Sequence, residues 1–256
     1  MMATADWAIA HGDALFVLSH LPSGVAQCVV TSPPYYGLRS YGTEPIVWPA
    51  VSYAPMPGLP ELHFPGDPEC AHEWEIGRHN PQPHGDNGRD SSNLQGGKSH
   101  QASPRLGSVE SAYCQRCGAW RGNLGLEPTP EMFVAHLVAI FREVRRVLAD
   151  TGVVWLNMGD SYSTHAAGDV ADPMAKSTLA GVKTQEVANR DSRATGRYFK
   201  YKALPEKNLM MIPARLALAL QADGWWLRSD VIWRKGNPMP ESVTDRPTKS
   251  HEHIFL

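Results

Sequence analysis

No stretch of the 256 residues reaches about 18 consecutive apolar side chains, the length a helix needs to cross a bilayer. The opening residues Met1-Met2-Ala3-Thr4-Ala5-Asp6 lack the basic and apolar regions of a secretory leader. Cysteine is scarce. Cys28, Cys70, Cys114 and Cys117 are too few for a disulfide scaffold of this size, so a reducing cytoplasm is the expected compartment, with no membrane partner. Neither sign of charge dominates, with 24 Lys and Arg against 26 Asp and Glu. Such a balance does not advertise a binder of polyanions, although a local basic face would suffice for one. Internal repeats are also lacking. What remains, at 42% hydrophobic residues, is enough for one sizeable α/β domain or two small ones.

The most informative segment that is present is Thr31-Ser32-Pro33-Pro34-Tyr35. Just before it, Val25-Ala26-Gln27-Cys28-Val29-Val30 has the apolar, β-rich character of a buried strand. The segment therefore falls at a strand's carboxyl end, the side on which open α/β sheets bind ligands. Two consecutive prolines fix φ and offer no N–H, so their carbonyls can be held rigidly. Ser32 adds a hydroxyl and Tyr35 a flat aromatic face. Together these groups suit a planar base with an exocyclic amino group.

The flanking chain reads as strand, helix and strand over the first forty residues, with His11-Gly12-Asp13 before a short helical pattern. Residues 50–125 turn to Pro, Gly, His, Asn and Ser, the composition of an irregular insertion whose middle, 77–108, is expected to be mobile. Thr129 then presents an N-cap with Pro130 behind it. Phe133, Leu137, Ile140, Phe141, Val144 and Leu148 recur at helical spacing up to a stop at Asp150-Thr151-Gly152. Residues 153–158 predict a buried strand, 163–202 a flexible polar loop, 213–222 a helix, 226–233 a strand, and 251–256 a last strand. Trp225, Trp226 and Trp233 are expected in the core or covering the sheet.

Cys114-Gln115-Arg116-Cys117-Gly118 is a Cys-x-x-Cys knuckle, and Cys70-Ala71-His72 lies in the same insertion. Four such donors complete a tetrahedral Cys₃His zinc site that would pin the insertion's two ends. Unligated thiols and a redox pair at Cys114 and Cys117 are the alternatives, and His63, His79, His84 and His100 are competing ligands.

Taken in order, these motifs resemble the permuted DNA amino-methyltransferases, which modify cytosine N4 or adenine N6 with S-adenosylmethionine. Ser32-Pro33-Pro34-Tyr35 is similar to their catalytic motif, His11-Gly12-Asp13-Ala14-Leu15 to the segment upstream, and Gly159-Asp160-Ser161-Tyr162 and Asn237-Pro238-Met239-Pro240 to later motifs. The resemblance implies an α/β, Rossmann-like three-layer sandwich. Residues 1–256 would form one partial catalytic domain, because the family's glycine-rich cofactor loop is absent and would lie downstream. It implies Ser32, Pro33, Pro34 and Tyr35 as catalytic residues, and Asp13, Thr31 and Ser32 as cofactor contacts. Asp13 as a turn-stabilising residue is the alternative for that position. Tyr36, Arg39, Asn237 and Pro238 are expected at the target pocket, with packing or solvated surface as the equal alternative for Tyr36 and Arg39. Double-stranded DNA is the implied partner, with a cognate restriction nuclease beside it in a bacterial or phage setting.

Family members with Ser before Pro-Pro are commonly cytosine-N4 enzymes, and those with Asp are usually adenine enzymes, so Ser32 tilts the expectation to cytosine. An inactive, zinc-containing nucleic-acid-binding remnant is a rival from another class. C5 methylation is excluded, since it needs a cysteine nucleophile, typically after proline, and no cysteine here follows one.

Overall fold

The computed structural model describes residues 7–37, 41–75, 112–163, 203–205, 207–238 and 246–256. Arg39, the 77–108 stretch and, apart from Ser163, the polar loop 163–202 lie outside the described residues.

A helix α1 (Ala14–Ser19) leads into strand β1 (Ala26–Thr31), and a long helix α2 (Pro130–Val147) feeds strand β8 (Leu148–Met158). Helix α3 (Ile212–Ala222), β9 (Asp230–Arg234) and β10 (His251–Phe255) complete the main unit. Its four-stranded sheet runs β1-β8-β10-β9, with β1 parallel to β8 and β10 antiparallel to both neighbours. Reversing β10 keeps the ends of β1, β8 and β9 and the start of β10 on one side.

The capping pattern acts as its residue types predict. Thr129 Oγ1 accepts the Met132 N–H at 3.2 Å, and Pro130 opens α2. The apolar stripe of α2, including Phe133, Leu137, Phe141 and Val144, packs with Ile212 and Leu216 of α3 onto Leu156, Met158 and Phe255 of the sheet. Burying a side chain of that size contributes about 1.5–3 kcal/mol. Two ion pairs lock the helices' relation: Arg142 to Asp223 at 2.6 Å and Arg215 to Glu131 at 3.0 Å.

Several expectations need correction. Helix α2 ends at Val147, and Asp150-Thr151-Gly152 lies within β8 instead of stopping the helix. The strand absorbs them in an irregularity between the pairs Ala26–Leu148 and Cys28–Val153. Gly152 permits it, because a Cβ there would lie 2.6 Å from Leu148 Cγ. Residues 226–229 are not in a strand; their stretch is instead tied to the chain's last residue by Arg228 and Ser229 N–H bonds to the Leu256 carbonyl. Trp225 packs edge-on against Phe141, but Trp226 is 78% exposed and Trp233 is also exposed.

The three-layer expectation is met on one side only. Among the described residues, α1, α2 and α3 pack together, and α2 and α3 cover one face of the sheet. On the opposite face Val30 (78% exposed), Val153, Trp155, Val231 and Trp233 meet solvent. Strand β1 is therefore half-open, not buried.

Among the described residues, both arms of the insertion form regular strands. Strands β2 (Ile46–Val47), β5 (Trp74–Glu75), β6 (Ala112–Cys114) and β7 (Trp120–Gly122) form an antiparallel sheet in the order β2-β7-β6-β5. Strands β3 (Val51–Tyr53) and β4 (Leu62–Phe64) make a separate pair. Trp48 and Trp120, each 2% exposed, supply a core with Met132 of α2. Two large rings replace the many small apolar residues that the composition lacks.

Candidate active site

Residues 32–35 leave the carboxyl end of β1 without regular structure, beside the carboxyl end of β8. Ser32 is exposed there, and its Oγ lies 3.4 Å from the Tyr35 hydroxyl. Tyr35 in turn donates to Glu252 Oε2 at 3.1 Å. Asn157 Nδ2 donates to the same oxygen at 3.0 Å, and Lys235 Nζ donates to Glu252 Oε1. Four strand ends thus meet on one carboxylate: Tyr35 after β1, Asn157 from β8, Lys235 after β9 and Glu252 from β10.

Burial raises the Glu252 pKa, but the hydrogen bonds from Lys235 and Asn157 and the Lys235 charge outweigh it. The carboxyl is held below its ordinary value. Tyr35 is shifted the other way. Burial raises its pKa, opposed by the Ser32 hydrogen bond and reinforced by the Glu252 charge. The pair is therefore fixed as a phenol donating to a carboxylate.

The Tyr35 ring also lies against the backbone of Gly159, where a Cβ would come within 2.4 Å of Tyr35 Cε2. Only glycine permits that approach. Neither Gly159 nor the Asn157, Lys235 and Glu252 partners follow from local patterning. The available signals were a carboxylate at the start of an otherwise aromatic and apolar strand and an asparagine near the end of β8.

The remaining expected residues separate. Thr31 is half-buried and pairs with Leu156. Asp13 caps α1, its Oδ1 accepting the Leu15 and Phe16 N–H groups at 3.0 and 3.1 Å, which is the turn-stabilising alternative for that residue. Tyr36 takes the packing alternative: it is buried, with its ring 5.5 Å from that of Phe133 and its carbonyl accepting from Ser161 Oγ at 2.5 Å. Successive side chains here point to opposite sides, so Tyr35 faces the site and Tyr36 the core. Asn237 and Pro238 lie in the loop that the Lys235 N–H bond to the Ser250 carbonyl closes.

Asp160, in the segment after β8, caps α3 through the Ile212 N–H at 2.9 Å. The Cys70, His72, Cys114 and Cys117 donor atoms lie within 4.8 Å of one another. Burial acts to raise the Cys114 pKa, but backbone N–H groups and His72 bring it down to about 5, while burial and the neighbouring thiols push Cys70 up to about 12.

Residues 26–256 match the DNA methylase family of N6/N4 methyltransferases. The chain belongs to this family. This DNA methylase family member is similar to the type II methyltransferase M.XycI of Xanthomonas campestris pv. cyanopsidis, at 36% identity over 96% of the chain and 52% of the relative. It is also similar to M.Cfr9I of Citrobacter freundii, at 33% identity over 96% of the chain and 52% of the relative, and to M.SmaI of Serratia marcescens, at 32% over 96% and 53%. The chain spans about half the length of these curated relatives. No solved structure matches this methylase chain closely enough to align with it. Among the described residues, no helix is long and apolar enough to cross a membrane.

Proposed function

We propose that the protein transfers a methyl group from S-adenosylmethionine to the exocyclic N4 of cytosine in duplex DNA, with residues 32–35 handling the acceptor base. The observation that carries this reading is the convergence of Ser32-Pro33-Pro34-Tyr35, Asn157, Lys235 and Glu252 at one end of the sheet in a DNA methylase family member. The relatives' name, type II methyltransferase, favours a modification role beside a cognate nuclease.

An exocyclic amino nitrogen is a poor nucleophile because its lone pair is delocalised into the ring. Ser32 Oγ and the Pro33 carbonyl would accept its N–H groups, localise that pair and aim it. Such positioning supplies about 7–11 kcal/mol in favourable cases. The base must leave the duplex to reach them. Tyr35 gives it a ring to lie on, and Glu252 with Gly159 keeps that ring from turning. Ser32, in place of an acidic residue before the prolines, favours cytosine over adenine.

The methyl donor fits only in part. When bound, S-adenosylmethionine supplies an electrophilic methyl on its sulfonium. Of the residues expected to touch it, Asp13 is engaged in capping and Thr31 sits in the sheet, which leaves the exposed Ser32. The proposal is therefore for these residues acting with a donor-binding segment, within the additional length that the relatives possess. We also assign zinc to the Cys₃His cluster, as a structural ion apart from the methyl-transfer site.

The test is mass spectrometry of nucleosides from duplex DNA treated with the protein expressed from its complete reading frame. N4-methylcytosine is the expected product. N6-methyladenine alone would overturn the base assignment, and unmodified DNA, from protein that binds both DNA and donor, would overturn the function.

A further inference from the structure

The geometry points to a zinc ion held by Cys70, His72, Cys114 and Cys117 that fixes the support beneath residues 34–37 through β7 and α2. Two of the donor separations have the size that zinc imposes. Zn–S bonds near 2.3 Å and Zn–N bonds near 2.0–2.1 Å at tetrahedral angles give ligand separations of about 3.8 Å for two sulfurs and about 3.6 Å for sulfur and nitrogen. Cys70 Sγ lies 3.9 Å from Cys114 Sγ, and Cys117 Sγ lies 3.6 Å from His72 Nδ1. No disulfide links them. Thiolate and imidazole donors favour zinc over magnesium or calcium, which take oxygen ligands.

The surrounding backbone is already shaped to hold an ion. Gly118, at φ +74°, turns the chain so that its N–H reaches the Cys114 carbonyl at 2.9 Å, and the Arg116 N–H points at Cys114 Sγ at 3.4 Å. The Gln115 N–H bond to the Glu73 carbonyl joins the two arms, and the His72 ring stacks on Trp74. Yet β5 and β6 pair over only two residues each, far too little to persist alone. An ion binding both arms supplies what the short strands lack.

From the knuckle, the connection to the motif is continuous. Trp120 of β7 accepts the Trp48 N–H at 3.0 Å through its carbonyl. The rings of Trp48 and Trp120 both stack on His136 of α2, at 3.9 and 5.4 Å between centroids. His136 Nδ1 pairs with Glu127 Oε1 at 2.9 Å, and Glu127 Oε2 accepts the Gly125 N–H at 2.8 Å. Gly125 accepts the Gly37 N–H at 2.8 Å and passes so close to the Tyr35 carbonyl that a Cβ would sit 3.0 Å from it. Both members of the Glu127–His136 pair are buried, so the bracket has no water to replace it. The ion therefore positions the Pro34-Tyr35 backbone without touching substrate. This positioning role rests on the methyl-transfer reading; the presence of the ion does not.

Metal analysis and hydrogen exchange separate the two. The 256-residue chain purified without chelator should carry about one zinc, and Cys117→Ser should lose it. Since that variant can also fail to fold, the wild-type chain is stripped with a chelator and reloaded with zinc alone. Stripping should speed amide exchange at Gly37 and Gly125 by about tenfold or more, reversed on reloading, while Val231 and Ile254 in the β9–β10 ladder keep their rates. Protein without zinc, or with a Cys114–Cys117 disulfide when freshly prepared under reducing conditions, overturns the site. Zinc that can be removed with no change at Gly37 and Gly125 overturns the positioning role. Neither readout needs turnover, so both results stand whatever the base or reaction proves to be.

Discussion

Glu252 accepts hydrogen bonds from Tyr35, Asn157 and Lys235 at once, so a change at this carboxylate reaches three strand ends. Its pKa in the folded protein lies below the ordinary 4.5, so it contributes stability above that value and loses the contribution as pH falls through the depressed one. Glu252→Gln should therefore flatten the acid limb of the stability curve below pH 4.5, read by urea titration at a series of pH values. An acid limb unchanged from wild type would mean that the network carries no linkage. Gly159→Ala should push Tyr35 away from its seat, and a displacement of about 1 Å can cost about 100-fold in turnover. Methylation kinetics beside an unchanged melting temperature would show that the loss lies at the site. Tyr35→Phe keeps the ring and should retain capture of a mismatched target base. Tyr35→Ala removes stacking worth about 1–3 kcal/mol, which a binding titration on the same DNA would read.

Within elements, helix α2 holds the Glu127 bracket in place through His136. Glu127→Ala would leave His136 and the Gly125 N–H without their partner in a dry site, at a cost of about 2–5 kcal/mol in chemical denaturation. A loss of under about 0.5 kcal/mol, the scale of surface changes, would remove the bracket from the account of the fold. The existence of α2 was legible beforehand because its signals are local: a cap at Thr129, a proline behind it and apolar residues every three or four positions. The Cys₃His cluster was legible for a similar reason, since Cys-x-x-Cys spacing already describes half of its geometry. Tyr36 stayed undecided between packing and the pocket because its neighbour Tyr35 has the same chemistry and only the turn of the backbone separates their fates. Glu252 was hidden by distance, for it meets Tyr35 across 217 positions of sequence. Sequence patterning reports faces of elements, whereas this contact depends on the order of strands in the sheet.

At the scale of the molecule, among the described residues one sheet face is packed and the other is uncovered. Val30, Trp155 and Trp233 present apolar surface there, and β1 lies at the edge of the sheet that the described residues form. Residues 1–256 alone should therefore self-associate, with light scattering rising with protein concentration. Val30→Lys with Trp155→Lys should reduce that association without lowering the melting temperature by more than a few degrees. The same chain should bind S-adenosylmethionine weakly at best in calorimetric titration, because no Gly-x-Gly sequence follows any of its strands. Tight one-to-one binding would place the donor site among residues assigned here to other work.

The reversed strand β10 also sets a timetable. A ribosome delivers Ser32 and Tyr35 long before Glu252, and the strand that carries Glu252 must slide between β8 and β9 before the tyrosine has its anchor. Until that insertion, the early motif is a tether without a fixed ring. A nascent or partly unfolded chain therefore holds every residue of the motif and the local stiffness of its prolines, but not the anchor of the Tyr35 ring. The long closure makes its assembly a late folding step. The Tyr35 ring would then be fixed in one event, when β10 docks between β8 and β9.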